Sequence, residues 1–222
     1  MKPPTKHLSS LSEHRLRGYT VAATAAGVGA LCLTQPAEAK IVYTPANVKI
    51  VQNGGLIGFD LNHDGVADFG LSNRIDASSG GLFLKVVPKI QANEVWKASG
   101  TFFSSATCAA ALSKGTKVGS NGRFGLDFPS GKFMAISNHN YYRACPWANV
   151  KQAYLGLKFA IKGKTHFGWA RVKVSIGRSI TATLTGYAYE TIPGKPIIAG
   201  ATKGPDEQAG SLGTLAAGAV GR

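Results

Sequence analysis

The sequence predicts an all-β protein, an antiparallel β-sandwich of jelly-roll-like type, and three observations indicate this fold. Apolar side chains recur at every second position in three segments between residues 154 and 190, which is the period of a β-strand. Turns at 162–164 and 177–179 separate these segments, so they predict a C-terminal three-strand antiparallel meander with one buried face. Glycine is abundant, with 28 residues, and strongly periodic helical segments are scarce, which favours short strands joined by turns.

Shorter β-prone segments precede the meander and supply the remaining strands of the two predicted sheets. They are residues 41–43, 48–51, 56–59, 69–71, 82–87, 94–96 and 133–136. We assign residues 40–200 to one β-sandwich domain, because a chain of this length can bury a substantial hydrophobic core. Residues 201–222 are weakly apolar or polar and rich in glycine, which is typical of a flexible C-terminal tail.

Residues 1–39 are typical of a signal peptide. Four basic residues precede an apolar run at 19–33, and an Ala-x-Ala sequence ends at Ala39, so the mature chain is expected to begin at Lys40. We therefore expect a secreted protein, extracellular or periplasmic, with association to the cell surface as a further alternative. The tail is too short and too rich in glycine to cross a bilayer, so no stable membrane span is expected in the mature chain.

The acidic loop, which we define as residues 60–68, has the spacing of a calcium-binding loop. Side-chain oxygens fall at loop positions 1, 3, 5 and 9, a backbone carbonyl falls at position 7, and Gly65 at position 6 permits the sharp turn. These predicted Ca²⁺ ligands are Asp60, Asn62, Asp64, Asp68 and the carbonyl of Val66. The flanking residues are β-prone, so the loop joins two strands.

The loop departs from the EF-hand pattern at position 12, where Leu71 replaces the bidentate glutamate. A water, a backbone carbonyl or a distant carboxylate such as Asp76 would have to complete the coordination. Three carboxylates within one turn repel one another unless a cation neutralises them, which favours calcium. The alternative is an ordinary turn rich in Asp, Asn and Gly.

Two cysteines, Cys108 and Cys145, remain after removal of the signal peptide. An isolated pair in an exported chain is expected to form a disulfide, because the compartment is oxidising. Two buried free thiols are the alternative.

The mature chain is basic. Removing residues 1–39, which hold four basic and two acidic residues, lowers the net charge from +14 to +12. Such a surface could hold an anionic polysaccharide or another component of the cell envelope. Nucleic acid is not an expected partner, because the Lys and Arg residues are scattered and no nucleic-acid-binding motif is present. The sequence does not determine the oligomeric state.

Two resemblances to known proteins arise from these segments. Residues 154–159, 166–172 and 186–200 resemble the final part of uncharacterised bacterial secreted proteins, many of which carry exosortase-type sorting signals of the PEP-CTERM kind. That resemblance implies export, a β-rich fold and surface attachment, but no known activity. Residues 211–219 resemble a degenerate or truncated sorting signal, without Pro-Glu-Pro or a basic cluster.

The acidic loop resembles the calcium loops of integrin-type propeller repeats, although a single copy argues against a propeller.

The sequence favours a secreted, calcium-stabilised β-sandwich that acts as a binding or structural module and not as an enzyme. The alternative is a secreted hydrolase acting on polysaccharide, with Asp127 and Glu190 as an acid/base pair. The tryptophans and tyrosines would then form a sugar-stacking platform, whereas the module interpretation places most of them in the core.

Overall fold

A computed structural model describes residues 40–99, 108–125, 128–138 and 142–204. The predicted signal peptide, Ala39, Asp127 and residues 205–222 of the tail lie outside the described residues. The strands within these ranges, in chain order, are β1 (Ile41–Ile50), β2 (Leu56–Phe59), β3 (Phe69–Ile75), β4 (Leu82–Pro88), β5 (Glu94–Trp96), β6 (Lys117–Val118), β7 (Phe124–Gly125), β8 (Lys132–Asn138), β9 (Tyr142–Ala144), β10 (Gln152–Ile161), β11 (Lys164–Ile176), β12 (Ile180–Glu190) and β13 (Ile197–Ile198). A short 3-10 helix covers Pro146–Asn149.

The strands form two main antiparallel sheets and one small ribbon. The large sheet has the order β1-β12-β11-β10-β5-β7, the second sheet has the order β2-β3-β4-β8-β9, and β6 pairs with β13 in the ribbon. Neighbouring strands pair antiparallel throughout these sheets. The predicted antiparallel β-sandwich and its C-terminal meander, β10-β11-β12, are confirmed.

The turn between β10 and β11 shows why the meander forms at this register. Lys162 and Gly163 both have positive φ, 50° and 76°, as a two-residue hairpin turn requires. The turn places Ile161 opposite Lys164, and the pairing continues without a shift to Gln152 opposite Lys173.

The main core lies between the large sheet and the second sheet. Side chains from both sheets interdigitate there with almost no exposure to solvent, as expected when two amphipathic sheets pack face to face. The large sheet contributes Leu155, Leu157, Phe159, Val172 and Leu184, and the second sheet contributes Phe69, Leu71, Leu84, Val86 and Met134.

The opposite face of the large sheet is also buried in part, which differs from the single buried face that the alternation predicts. Val118 and Ile197 of the ribbon cover Tyr154, Phe167 and Trp169, and together they form an outer apolar cluster. The indole N–H of Trp169 donates to the carbonyl of Ala201 at 3.2 Å, so packing extends to residue 201. The difference arises because the alternate positions of β10 and β11 carry aromatic side chains, which need cover of their own.

Cys108 and Cys145 form the predicted disulfide, and both residues are buried. Cys108 forms a bridge with Phe133 of β8, and Cys145 precedes the 3-10 helix. The bond therefore ties the segment before β6 to the end of the second sheet. Within the described residues, no helix is long and apolar enough to cross a membrane.

Candidate metal centre

The acidic loop connects β2 to β3, which are neighbours in the second sheet. Phe59 and Phe69 are paired across the two strands, and the Asp68 N–H donates to the Phe59 carbonyl at 3.1 Å, which closes the base of the loop. The loop is therefore strand-linked, and its five predicted ligand residues lie within one short connection.

Asp60, at the first loop position, holds the loop in its folded shape. Its Oδ1 accepts a hydrogen bond from the His63 N–H at 2.7 Å, and its Oδ2 accepts one from the Gly65 N–H at 2.8 Å. His63 and Gly65 both have positive φ, 61° and 88°. Glycine is favoured at position 65 because that backbone conformation costs a residue without Cβ little free energy.

Asn62 and Asp64 lie at the outer side of the loop. The Asn62 amide donates to Asp64 Oδ2 at 2.9 Å, and Asp64 Oδ1 accepts from the Val66 N–H at 2.9 Å. These two hydrogen bonds, the backbone one first, lower the pKa of the exposed Asp64 carboxyl. Asp64 is therefore anionic at neutral pH and is available to a cation from the solvent.

Asp68 is the buried carboxylate of the loop, with 1% exposure. Its Oδ2 accepts from the Leu61 N–H at 2.8 Å, and the Asn93 amide donates to its backbone carbonyl at 3.0 Å and to its Oδ1 at 3.4 Å. Burial raises the pKa of Asp68, the charges of Asp60 and Asp64 raise it further, and the hydrogen bonds act in the opposite direction. Sequence reasoning missed Asn93, because an Asn outside any motif carries no signal.

The acidic loop also docks on the large sheet. Leu61 is 1% exposed and lies against Gly168 of β11, where an added Cβ would come within 2.6 Å of the Leu61 side chain. His63 Nε2 is hydrogen-bonded to Thr44 Oγ1 of β1 at 2.7 Å, and the His63 ring lies 6.3 Å from that of Tyr187. Burial, followed by the charge of Asp60, raises the pKa of Tyr187, although a hydrogen bond with Thr44 acts in the opposite direction. The loop therefore contacts both sheets of the sandwich.

The loop offers only part of a closed metal site. Within the described ranges, no three His, Cys, Asp or Glu side chains converge as a metal-binding group. The chemistry of the donors nevertheless suits Ca²⁺, because all of them are oxygens and each carboxylate oxygen can accept a second interaction. In the part of the chain that the structure describes, no Lys or Arg forms an ion pair with Asp60, Asp64 or Asp68. Asn93 Oδ1, buried beside Asp68, has no hydrogen-bond donor among the same residues.

Asp76 does not complete the coordination. It follows the far end of β3, seven residues from Phe69, which corresponds to roughly 24 Å of extended chain. Its carboxylate accepts four hydrogen bonds from Ser78 and Ser79, which lower its pKa to about 2. The Asp76 turn thus stands apart from the acidic loop and offers a natural comparison for it.

The residues of the alternative hydrolase site that the structure describes include Glu190, Trp147 and Trp169, and all three are buried. Glu190 is 2% exposed; its Oε1 accepts from the Ile192 N–H at 3.1 Å, and its Oε2 lies 4.0 Å from Lys195 Nζ. Trp147 and Trp169 are completely buried, the first in the main core and the second in the outer cluster. These two tryptophans therefore pack inside the molecule and do not line a groove.

Comparisons with protein-family models, with curated proteins and with solved structures found no match for this chain.

Proposed function

We propose that this protein is a secreted, calcium-stabilised β-sandwich that acts as a binding or structural module at the cell envelope or outside the cell. The observation that carries the proposal is the position of the acidic loop. It connects two strands of the second sheet, docks on the large sheet through Leu61 and His63, and buries Asp68 without an ion pair in the described part of the chain.

Calcium would be held by the side chains of Asp60, Asn62, Asp64 and Asp68 and by the carbonyl of Val66. When bound, the ion supplies positive charge that offsets the mutual repulsion of the carboxylates and the cost of burying Asp68. Without a position-12 glutamate, a dissociation constant of roughly 10⁻⁴ to 10⁻³ M is expected, as in extracellular modules. Because the loop contacts both sheets, its ordering by calcium would stabilise the whole sandwich.

Export is supported by two observations. The first 39 residues have the order of a signal peptide, and the Cys108–Cys145 disulfide suits an oxidising compartment. N-terminal sequencing of the exported protein checks this part of the proposal, with Lys40 as the expected first residue. An intact Met1 in exported material would contradict it.

The burial of three side chains favours a non-enzymatic module over the hydrolase, because the hydrolase would need these side chains at its surface. Trp147 and Trp169 contribute to the packing of the sandwich, and the Glu190 carboxylate is buried beside Lys195. A sugar-stacking platform requires exposed aromatic faces, which these two tryptophans do not offer.

Thermal unfolding as a function of calcium concentration tests the role of the acidic loop. At ten times the dissociation constant, calcium adds about 1.4 kcal/mol to the free energy of unfolding. For a domain of this size, that gain raises the melting temperature by about 3–6 °C. Asp64→Asn should abolish most of this shift, since it removes a charged ligand but keeps an oxygen that can accept the Val66 N–H.

Asp76→Asn is the matched control, because it neutralises another exposed turn aspartate at the far end of β3. It should retain the full calcium response. Magnesium should raise the melting temperature less than calcium does. It requires shorter metal–oxygen distances and a near-ideal octahedral geometry, which a flexible loop does not provide. A wild-type melting temperature that is the same in EDTA and in millimolar calcium would refute calcium binding and leave an ordinary acidic turn.

A further inference from the structure

From the distribution of charge around the ribbon, we propose that the outer face of β6–β13 is a binding site for an anionic polysaccharide. This inference rests on the proposed function of an exported binding module and names a ligand class and a surface for it. The surface, which we call the lysine groove, has a volume of about 300 Å³ and is lined by Ile41, Ile198, Lys195 and Lys203, among others.

Among the described residues, four lysines lie in or beside the lysine groove. Lys195 and Lys203 line it, and Lys40 immediately precedes Ile41, which is also part of the lining. Lys117 is the register partner of Ile198 in the ribbon. Partners in an antiparallel pair point to the same side, so the exposed Lys117 side chain projects outward beside Ile198.

Among the residues that the structure describes, Glu190 is the one carboxylate in the lining of the groove, and it cannot balance these charges at the surface. It is 2% exposed, and its Oε2 lies 4.0 Å from Lys195 Nζ. Glu190 therefore pairs with Lys195, and both residues line the groove. Lys40, Lys117 and Lys203 are exposed around it, so the described residues of the groove carry an excess of positive charge.

The chemistry of the lining favours a polysaccharide over other polyanions. Pro196, Ile198 and Ala201 also line the groove, and their aliphatic surfaces can contact the apolar faces of sugar rings. Within the described part of the chain, the lining of the groove contains no aromatic side chain on which a nucleobase could stack and no arginine for bidentate recognition of phosphate. Lysine acts as a point charge and can pair with the carboxylates that an anionic polysaccharide carries on its sugar units.

The test measures binding of fluorescently labelled polygalacturonate to the mature chain by fluorescence anisotropy, at low and at high salt. Lys117→Gln with Lys203→Gln removes two charges from the groove but leaves Lys195, which neutralises the buried Glu190. We expect wild type to bind, with affinity that decreases as salt increases, and the double variant to lose roughly five- to tenfold in affinity. Neutral dextran should not bind.

Lys151→Gln with Lys173→Gln is the matched control and removes two exposed lysines from another part of the surface. Lys173 is paired with Thr183, which lies seven residues from Glu190 along β12, or roughly 24 Å. This control should keep nearly full affinity. An equal loss of affinity in both double variants would refute a localised site. Unchanged affinity in the groove variant, Lys117→Gln with Lys203→Gln, would also refute it.

Two further comparisons identify the ligand class and separate this proposal from the calcium proposal. Binding of duplex DNA and of phosphatidylglycerol vesicles is measured in the same way. If either binds more tightly than polygalacturonate, and if that binding depends on Lys117 and Lys203, the choice of polysaccharide is overturned. Melting temperatures of the same proteins should show an unchanged calcium response. A calcium response without polygalacturonate binding refutes the lysine groove alone, whereas lysine-dependent binding without a calcium response refutes the calcium site alone.

Discussion

At the scale of single residues, the least expected feature of the site is how Asp68 is held. A carboxylate with 1% exposure normally has a cationic partner, but the described donors to Asp68 are the Leu61 N–H and the Asn93 amide. The Leu61 N–H has a second role, because it fixes the residue whose side chain packs against Gly168. One carboxylate thus couples the shape of the acidic loop to its docking on the large sheet.

Gly168 gives the residue-scale prediction. A Cβ at this position would lie 2.6 Å from Leu61 Cδ2 and 2.8 Å from the backbone carbonyl oxygen of Ala188. The leucine could move, but the carbonyl belongs to the neighbouring strand β12. We expect Gly168→Ala to lower the free energy of unfolding by about 1–3 kcal/mol, measured by urea denaturation.

Gly177→Ala is the control for Gly168→Ala, since a Cβ there has no atom within 4 Å. It should change the stability by no more than a few tenths of a kcal/mol, about the level of a neutral surface substitution. Equal stability of Gly168→Ala and wild type would mean that Leu61 and β12 adjust freely, and that the loop is not tightly docked.

At the scale of elements, local features could be predicted from the sequence and long-range ones could not. The meander and the acidic loop are encoded in contiguous stretches, where alternation and spacing can be counted directly. The docking of the loop depends on which strands become neighbours, and this follows from packing across the whole chain. Thr44 and Asn93 contact the loop from 19 and 25 residues away in sequence, and neither lies in a motif.

The ribbon is a second feature that could not be predicted from the sequence, because it depends on long-range packing. β6 and β13 contain two residues each, which is too short for an alternation pattern to identify. Val118 and Ile197 both pack against the aromatic side chains of β10 and β11, and this shared packing favours the pairing of β6 with β13. The lysine groove could therefore not be predicted as a surface, although each of its lysines is visible in the sequence.

The disulfide gives the element-scale prediction. Cys108 and Cys145 are separated by 37 residues, and a cross-link of that span removes conformational entropy from the unfolded chain worth about 4 kcal/mol. Replacing both cysteines by alanine should lower the free energy of unfolding by about that amount in urea denaturation. Addition of a reductant should destabilise wild type to a similar extent and leave the alanine variant unchanged. A double variant as stable as oxidised wild type would contradict this.

At the scale of the whole molecule, the two apolar clusters share the same strands. Leu155 and Leu157 of β10 point into the main core, whereas Tyr154 of the same strand and Trp169 of β11 belong to the outer cluster. Neighbouring residues on one strand thus contribute to opposite layers. The outer layer cannot separate from the sandwich without exposing aromatic surface on strands that the main core holds in place, so we expect both layers to unfold together.

The tryptophans allow this cooperativity to be measured layer by layer. Trp147 reports on the main core, whereas Trp169 and Trp96 lie in or against the outer cluster. In Trp147→Phe, urea-induced changes in fluorescence follow the outer layer, and in the double variant Trp96→Phe with Trp169→Phe they follow the main core. Within each variant, the fluorescence midpoint should coincide with the midpoint from far-ultraviolet circular dichroism, which reports on all strands. Comparing two probes on one variant removes the effect of the substitution itself on stability. A change in outer-layer fluorescence at lower urea than the change in circular dichroism would mean that the ribbon unfolds independently. The lysine groove would then lie on a less stable layer than the acidic loop.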